Sequence, residues 1–206
     1  MIIIFLILGG TAVMGQPYLG LFGGITSSKL TGDAPDRVKY KRLIGFQFGT
    51  NLDFKLSKSI MLGLQPSFAQ EGTRLQFKVK GVKEPVDSIK VRLNYFAVPV
   101  VIKVSSTNQR FYAIGGIEGA YIVGSYLERG GKEEDLKTDI SEFNLSVHFG
   151  AGIRIPLGFP RLYIEIRYVQ GVLNLTDEPI DKSYIPRIKT NGIKLNLGLE
   201  IPLSNK

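Results

Sequence analysis

The sequence predicts an all-β fold, namely an eight-stranded antiparallel up-and-down transmembrane β-barrel preceded by a signal peptide. Three observations support this prediction. Apolar residues alternate with polar residues or glycines along about eight segments, which is the period of two that marks strands. Long polar connections alternate strictly with short turns along the chain. Most charged residues lie in the long connections, and the centres of the strands carry few charges, as a lipid-exposed band requires.

The first residues have the composition of an export signal. Ile2–Leu8 is a short apolar run, well below the roughly 20 residues that a membrane-spanning helix needs. Small residues follow, with Val13 and Gly15 at the positions that precede a cleavage site. We expect residues 1–15 to be a signal peptide and residues 16–206 to form one barrel domain. The alternative is that the apolar run forms a first buried strand.

Eight strands are expected where the alternating pattern recurs. The inward and outward faces of the first and fourth strands are ambiguous, because both parities of these strands are largely apolar. Pro99 is expected to mark a bulge or a break in register. The eight segments are Pro17–Thr26, Leu43–Phe54, Ile60–Phe68 with a possible continuation to Gly81, Ile89–Val104, Arg110–Val123, Glu142–Pro156, Arg161–Val172 and Asn191–Leu203.

The connections between these segments are of two kinds. In an up-and-down barrel all long connections meet at one end and all short turns at the other, as in membrane barrels with short periplasmic turns and long external loops. The short turns are Lys55–Ser59, Ser105–Gln109 and Leu157–Pro160, and the long connections are Ser27–Arg42, Lys80–Ser88, Ser125–Ser141 and Asn174–Thr190.

The two faces of each strand differ in a way that favours lipid outside and a narrow polar lumen inside. One parity is almost purely aliphatic, as from Ile193 to Leu203, and the other is rich in glycine and carries few charges. A soluble barrel would need a more polar outer face, whereas glycine suits a tight interior. Buried charges need partners, so we expect a polar network in the lumen formed by Asp53, Glu118, His148, Arg154, Glu165, Arg167, Lys194 and Glu200.

Several motifs together resemble those of a known family. "LNYFAVPVVIKV" at Leu93–Val104 is followed by the glycine-bearing strand "FYAIGGIEGAYIVGS" and the hairpin strands "FNLSVHFGAGIRIPL" and "LYIEIRYVQGVLNL". "GIKLNLGLEIPL" is similar to the closing strand of the same family. The chain from Leu43 onward resembles the small outer-membrane barrels of Bacteroidetes, the PorT-like "porin family". The resemblance implies an exported eight-stranded barrel in a Gram-negative outer membrane.

The residue types available exclude most enzymatic chemistry. The chain has no cysteine and a single histidine, His148, which excludes thiol catalysis and metal sites with two histidine ligands. No phosphate-binding loop or dinucleotide fingerprint is present. We therefore expect no cofactor, no metal and no enzymatic activity. The alternative is a lipid-modifying enzyme centred on His148, although Ser146 on the same strand would stand about 7 Å away, too far for a direct hydrogen bond.

The positive charge of the chain favours anionic lipid as a partner. The formal net charge is +8, and two basic runs fall in or beside predicted external loops, where they could contact phosphates of lipopolysaccharide. Simple solvation of these loops is the competing interpretation. We expect outer-membrane lipid and lipopolysaccharide as partners, with a possible protein partner at the loops, no nucleic acid and a monomeric state. The expected anionic-lipid contacts are Arg37, Lys39, Lys41, Arg42, Lys78, Lys80 and Lys83.

The function expected from these features is that of a small outer-membrane barrel with a structural or binding role through its external loops. Its lumen should be packed by side chains, since eight strands enclose a space just wide enough for them. It should therefore not act as a general diffusion pore. The alternative is a soluble periplasmic barrel with reversed faces, in which the aliphatic parity would line a lipid-binding cavity.

Overall fold

The computed structural model of the protein describes residues 17–32, 38–77, 88–130, 132–135, 141–156, 158, 160–175 and 188–203. The expected signal peptide, residues 1–15, lies outside these ranges. Within them, no helix has the length and apolar character needed to cross a membrane.

Ten antiparallel strands form one continuous sheet in the described part of the chain. They are β1 Pro17–Gly32, β2 Val38–Lys55, β3 Ile60–Leu64, β4 Ser67–Phe77, β5 Ser88–Ser105, β6 Phe111–Arg129, β7 Lys132–Asp135, β8 Phe143–Pro156, β9 Arg161–Gly171 and β10 Ile188–Pro202.

The sheet closes into a barrel because β1 pairs with both β2 and β10. β3 and β4 lie end to end between β2 and β5, and together they form one barrel strand. β7 pairs with β6 alone, as a short hairpin beyond the wall. The wall therefore has eight strands in up-and-down order, which confirms the predicted fold class, and closure leaves it without an open edge.

The predicted third strand is divided by a break at Gln65 and Pro66. Proline has no N–H to donate to a ladder, and this holds for Pro66 and for Pro99, which lies opposite Gln65 on β5. The break is bridged by two backbone hydrogen bonds of 3.0 Å, from the Gln65 N–H to the Pro99 carbonyl and from the Thr50 N–H to the Pro66 carbonyl. The register is therefore kept on both sides, although the continuous strand expected from the sequence is interrupted.

The bulge expected at Pro99 lies elsewhere. Pro99 pairs with Glu118 in an unbroken stretch of the β5–β6 ladder, and the register shift of this pair falls at Asn94 and Tyr95. A second shift lies between Arg42 and Gln47 of β2, opposite β4. The expectation about Pro99 was wrong because a proline can occupy a strand position whose N–H is not needed by either neighbour.

The strands on the long-loop side extend well past the predicted boundaries, so the expected connections Ser27–Arg42 and Ser125–Ser141 are too long. Strand pairing continues there without apolar residues on the outer face, so the alternation that reveals a strand fades from the sequence. We call this extension the external collar. It consists of residues 26–32, 38–43, 71–77, 88–94, 124–129, 132–135 and 188–192. The opposite, short-turn end carries the turns after β2, β5 and β8.

The barrel is apolar outside and polar inside. On β10 the side chain of Leu197 is 54% exposed, whereas that of its neighbour Asn196 is 3% exposed. Large apolar side chains are exposed on every wall strand, among them Leu21, Phe48, Ile102, Ile117, Phe149, Ile166 and Leu195. This arrangement is the reverse of a soluble core and matches a wall in contact with lipid.

Glycines on the inner face make room for tyrosine rings that fill the lumen. Tyr112 is paired directly across the ladder with Gly152, and Tyr163 with Gly198. A Cβ atom added to Gly152 would lie 2.2 Å from Cζ of Tyr112, and one added to Gly198 would lie 2.4 Å from Cζ of Tyr163. The glycine-rich inner parity therefore results from close packing of these rings.

Candidate functional site

The eight residues predicted for the lumen all lie on the inner face, and each side chain is almost completely buried. Their positions along the barrel axis divide them into an upper group near the collar, a central group and a lower group near the short turns. They are Asp53, Glu118, His148, Arg154, Glu165, Arg167, Lys194 and Glu200.

The upper group is centred on the ammonium of Lys194. This Nζ atom lies 3.1 Å from both carboxylate oxygens of Glu118 and 3.1 Å from Oε1 of Glu71. His148 places Nε2 at 3.2 Å from Oε2 of the same Glu118. One buried cation is therefore shared by two buried carboxylates, an arrangement in which each partner depends on the others.

The central group contains an arginine and a glutamate two residues apart on β9. The guanidinium of Arg167 contacts Glu165 and also donates to Oε1 of Gln65 at the β3–β4 break. The hydroxyl of Tyr112 donates to the other oxygen of Glu165 at 2.9 Å. The contact between Arg167 and Gln65 crosses the lumen between opposite walls, and the contact between Tyr112 and Glu165 joins β6 to β9, so together they close the middle of the lumen.

The lower group pairs Lys103 with Asp53 at 2.7 Å, and both side chains are buried. Asn51 donates a second hydrogen bond to Asp53 at 3.1 Å. The Lys103 ammonium also lies 5.7 Å and 5.6 Å from the ring centres of Tyr112 and Tyr163, within the range of a cation–π contact. The buried ammonium of Lys103 is thus stabilised both by a carboxylate and by the faces of two aromatic rings.

The described interior is balanced in charge, with five acidic and five basic side chains. Sequence reasoning missed Lys103, Glu71 and Arg161. Lys103 shares its parity with the buried Val101 and Ala97, but both parities of β5 are apolar, so the pattern did not identify the inner face. The ten are Asp53, Glu71, Glu118, Glu165, Glu200, Lys103, Arg154, Arg161, Arg167 and Lys194.

The packed lumen leads to a prediction about conductance. In a planar lipid bilayer, the purified protein should produce no large, stable open channels, because buried tyrosines and cross-lumen ion pairs fill the interior. An open porin recorded in the same membrane provides the positive control. Long-lived steps of uniform conductance, absent from protein-free membranes, would contradict the packed lumen.

The surroundings of His148 do not resemble a nucleophile–base pair. The imidazole is 3% exposed and faces Glu118, and Ser146 is buried two residues away on the same strand. Among the described residues, no group of three or more His, Cys, Asp or Glu side chains is arranged to hold a metal ion. The soluble alternative also fails, because it requires the aliphatic parity inside.

A second candidate site lies on the collar. Lys39, Lys41 and Arg42 of β2, three of the expected anionic-lipid contacts, are exposed there, whereas Arg37, Lys78, Lys80 and Lys83 fall outside the described residues. The β1–β2 and β1–β10 pairings bring two further cations beside them, Lys29 and Lys189. We refer to the five described residues as the collar cations: Lys29, Lys39, Lys41, Arg42 and Lys189.

The collar cations are not matched by carboxylates in the part of the chain that the structure describes. Three of the five, Lys29, Lys39 and Lys41, line a cleft of about 390 Å³ between β1 and β2. Arg42 donates hydrogen bonds to the Ser27 carbonyl at 2.8 Å and to Oδ1 of Asn191 at 3.2 Å, so its acceptors are neutral. The site can therefore attract anions.

The opposite side of the collar is neutralised internally. Glu128 pairs with Lys90 at 2.7 Å and with Arg92 at 3.1 Å, and Arg92 also lies 3.2 Å from Glu133. The hydrogen bond from the Lys90 ammonium holds the pKa of Glu128 below its ordinary value, so this carboxylate stays ionised at neutral pH. Lys90 and Arg92 are thus balanced by carboxylates, whereas the five collar cations on β10, β1 and β2 have no ion pair among the described residues.

Comparison with known proteins agrees with the geometry. A family model described as "Outer membrane protein beta-barrel domain" matches residues 16–177. The crystal structure of Neisserial surface protein A is similar with a TM-score of 0.51, at 10% identity over 90% of this chain and 97% of that one. The crystal structure of Ail, the attachment invasion locus protein of Yersinia pestis, gives a TM-score of 0.44, at 18% identity over 91% of this chain and 100% of that one. The crystal structure of OprG of Pseudomonas aeruginosa gives a TM-score of 0.42, at 12% identity over 92% of this chain and 97% of that one. No curated protein sequence matches the chain.

Proposed function

Because the chain belongs to the outer membrane protein β-barrel domain family and lies in the outer membrane, we propose that it is a non-enzymatic barrel that binds anionic groups at its external collar. The short-turn end then faces the periplasm and the collar faces outward, as in other membrane barrels. The observation that supports this function is the set of five collar cations on three adjacent strands, unmatched by carboxylates among the described residues.

The occupant that fits this site is the phosphate-bearing headgroup region of outer-leaflet lipopolysaccharide. Ile44 is the first strongly exposed apolar residue below the collar on β2, with 72% of its surface exposed. Arg42 precedes it by two residues, which places its backbone about 7 Å higher along the strand. The collar cations therefore stand at the level where lipid phosphates meet the hydrocarbon boundary, and basic residues at this level attract anionic lipid.

A paired substitution tests this binding. Changing Lys41→Gln together with Arg42→Gln should weaken binding to vesicles that contain lipopolysaccharide by about thirtyfold, since each cation near a charged membrane surface contributes about 1 kcal/mol. Lys55→Gln with Lys58→Gln removes the same charge at the periplasmic end and should leave the affinity unchanged. Equal affinities for the two double variants would contradict the assignment.

The absence of enzymatic function is part of the same proposal. It is supported by the buried position of His148, whose polar neighbour is Glu118, and by the packed interior around it. A bulky lipid could not reach this imidazole without displacing the upper group of the lumen.

Three finer points complete the proposal. The order of the motifs from Leu93 to Leu203 supports membership of the PorT-like Bacteroidetes barrels within the wider family.

Residues 1–15 act as a signal peptide and residues 16–206 form the mature barrel, which is supported by a family match that begins at residue 16. A monomeric state is supported by the closure of the eight-stranded wall, which leaves the wall without a free edge to pair with a second copy.

A further inference from the structure

The periplasmic mouth of the barrel contains a cavity that the collar function does not use. Its volume is about 420 Å³, and it lies between the turn after β5 and the end of the β8–β9 hairpin. Its lining includes Arg110, Arg154 and Arg161 together with Thr107 and Asn108. Three arginines from different parts of the chain therefore surround one small space.

The positive charge around this cavity exceeds the negative charge available to balance it. Arg154 and Arg161 share one carboxylate, with their Nε atoms 3.1 Å and 3.6 Å from Oε1 of Glu200. Arg110 is exposed and has no ion pair among the residues that the structure describes. Three guanidinium groups against one carboxylate leave a surplus of two positive charges, which matches a dianion.

Two of the arginines are held in place before any ligand binds. Arg154 donates to Oγ of Ser105 at 2.9 Å, and its guanidinium carbon lies 4.4 Å from the ring centre of Tyr112. Arg161 stacks on Tyr18 at 4.1 Å and makes its ion pair through Nε. The terminal nitrogens of Arg161 have no hydrogen-bond acceptor among the described residues, so they remain available to a ligand in the cavity.

The turn that carries Arg110 is also ordered by its own hydrogen bonds. The N–H of Gln109 donates to the carbonyl of Ser106 at 2.8 Å, and Oγ of Ser106 donates to Oδ1 of Asn108 at 2.7 Å. Gln109 adopts a φ of 56°, a left-handed conformation that side chains other than glycine and asparagine rarely take. The carbonyl of Arg110 accepts from the N–H of Arg154 at 2.6 Å. The backbone of the turn is thus fixed beside the cavity.

We propose that this cavity binds a doubly charged oxyanion, either inorganic phosphate or the phosphate of a monoester, that enters from the periplasm. Guanidinium groups donate paired hydrogen bonds to phosphate oxygens, and Arg110 and Arg161 supply them from two sides. Asn108 and Thr107 provide neutral donors at the rim. The cavity is larger than a phosphate group, so it has room for the organic part of a monoester.

The test is a calorimetric titration of the full protein in detergent micelles, with inorganic phosphate in one arm and glycerol phosphate in the other. Arg110→Gln and Arg161→Gln should each lower the affinity about tenfold, as expected for the loss of a hydrogen-bonded charge. Lys58→Gln lies on the neighbouring turn outside the cavity, and it should bind like the unchanged protein. Tighter binding of glycerol phosphate would identify a monoester site, and tighter binding of inorganic phosphate would identify a site for the free anion.

A second variant makes the test independent of simple loss of structure. Glu200→Gln removes the one carboxylate that competes with the ligand for Arg154 and Arg161, so it should tighten phosphate binding. The absence of binding heat in both arms with the unchanged protein would overturn the proposal. Equal affinities for Arg110→Gln and Lys58→Gln would overturn it as well. The collar site can fail its own test without affecting this one, because the two sites lie at opposite ends of the barrel.

Discussion

Leu197→Arg is expected to destabilise the barrel in a lipid bilayer by about 2–4 kcal/mol, the cost of an arginine on the lipid-facing side near the bilayer midplane. Leu197 is 54% exposed, and it lies near the centre of the aliphatic row of β10. An arginine at this position would have to remain in hydrocarbon or distort the membrane around it. The free energy of unfolding in lipid vesicles, measured by urea titration, gives the magnitude.

Leu203→Arg serves as the matched control for this substitution. Leu203 is similarly exposed, at 51%, but it follows the end of β10 at the periplasmic rim, where the same change should cost only about 0–1 kcal/mol. The depth of the substituted position in the bilayer, and not the change from leucine to arginine itself, should therefore determine how much stability is lost. Equal costs at the two positions would mean that Leu197 does not face the bilayer interior.

Lys194→Met should destabilise the barrel by about 3–5 kcal/mol, the usual effect of removing one partner from a buried ion pair. The ammonium of Lys194 lies 3.1 Å from both Glu118 and Glu71, so its loss leaves two carboxylates in the lumen without their cation. The imidazole of His148 remains near Glu118 but cannot replace a permanent charge shared by both acids. Unfolding in lipid vesicles again provides the measurement.

Two further variants separate the loss of pairing from other effects. Lys189→Met removes a lysine from the same strand in the collar, where no buried carboxylate depends on it, and should change stability by no more than about 0.5 kcal/mol. The triple variant Lys194→Met, Glu118→Gln and Glu71→Gln removes the stranded charges as well, and it should recover most of the lost stability. A triple variant as unstable as Lys194→Met alone would show that the pairing is not the cause.

The alternating pattern predicted the wall of the barrel well because the physical requirement for it is strict. A strand between hydrocarbon and a narrow polar lumen must present apolar residues on one side only, as β8, β9 and β10 do. Arg154, Glu165 and Lys194 were therefore placed inside from the sequence, and the structure puts them there. The requirement weakens beyond the apolar band, which explains why the collar strands were underestimated.

The contacts between strands could not be read from the pattern. Lys103 lies on β5, where both faces are apolar, and its partner Asp53 is 50 residues away on β2. Glu71 lies beyond the break at Pro66, in a segment whose alternation is irregular. The cavity at the periplasmic mouth depends on Arg110, Arg154 and Arg161 meeting from three positions in the chain. Contacts between residues on different strands are determined by strand register, which the alternation within one strand does not specify.

Methyl groups on both faces of the wall allow a direct measurement of which face meets lipid. Leu195, Leu197 and Leu199 lie on the outer face of β10, whereas Val101, Ile114 and Val169 are buried in the lumen. In lipid nanodiscs with methyl-labelled protein, nuclear Overhauser effects from the lipid acyl chains should reach the three outer leucines and be absent from the three lumen residues. Acyl-chain contacts at Val101 and Val169, with water at Leu197, would contradict a barrel whose aliphatic face meets lipid.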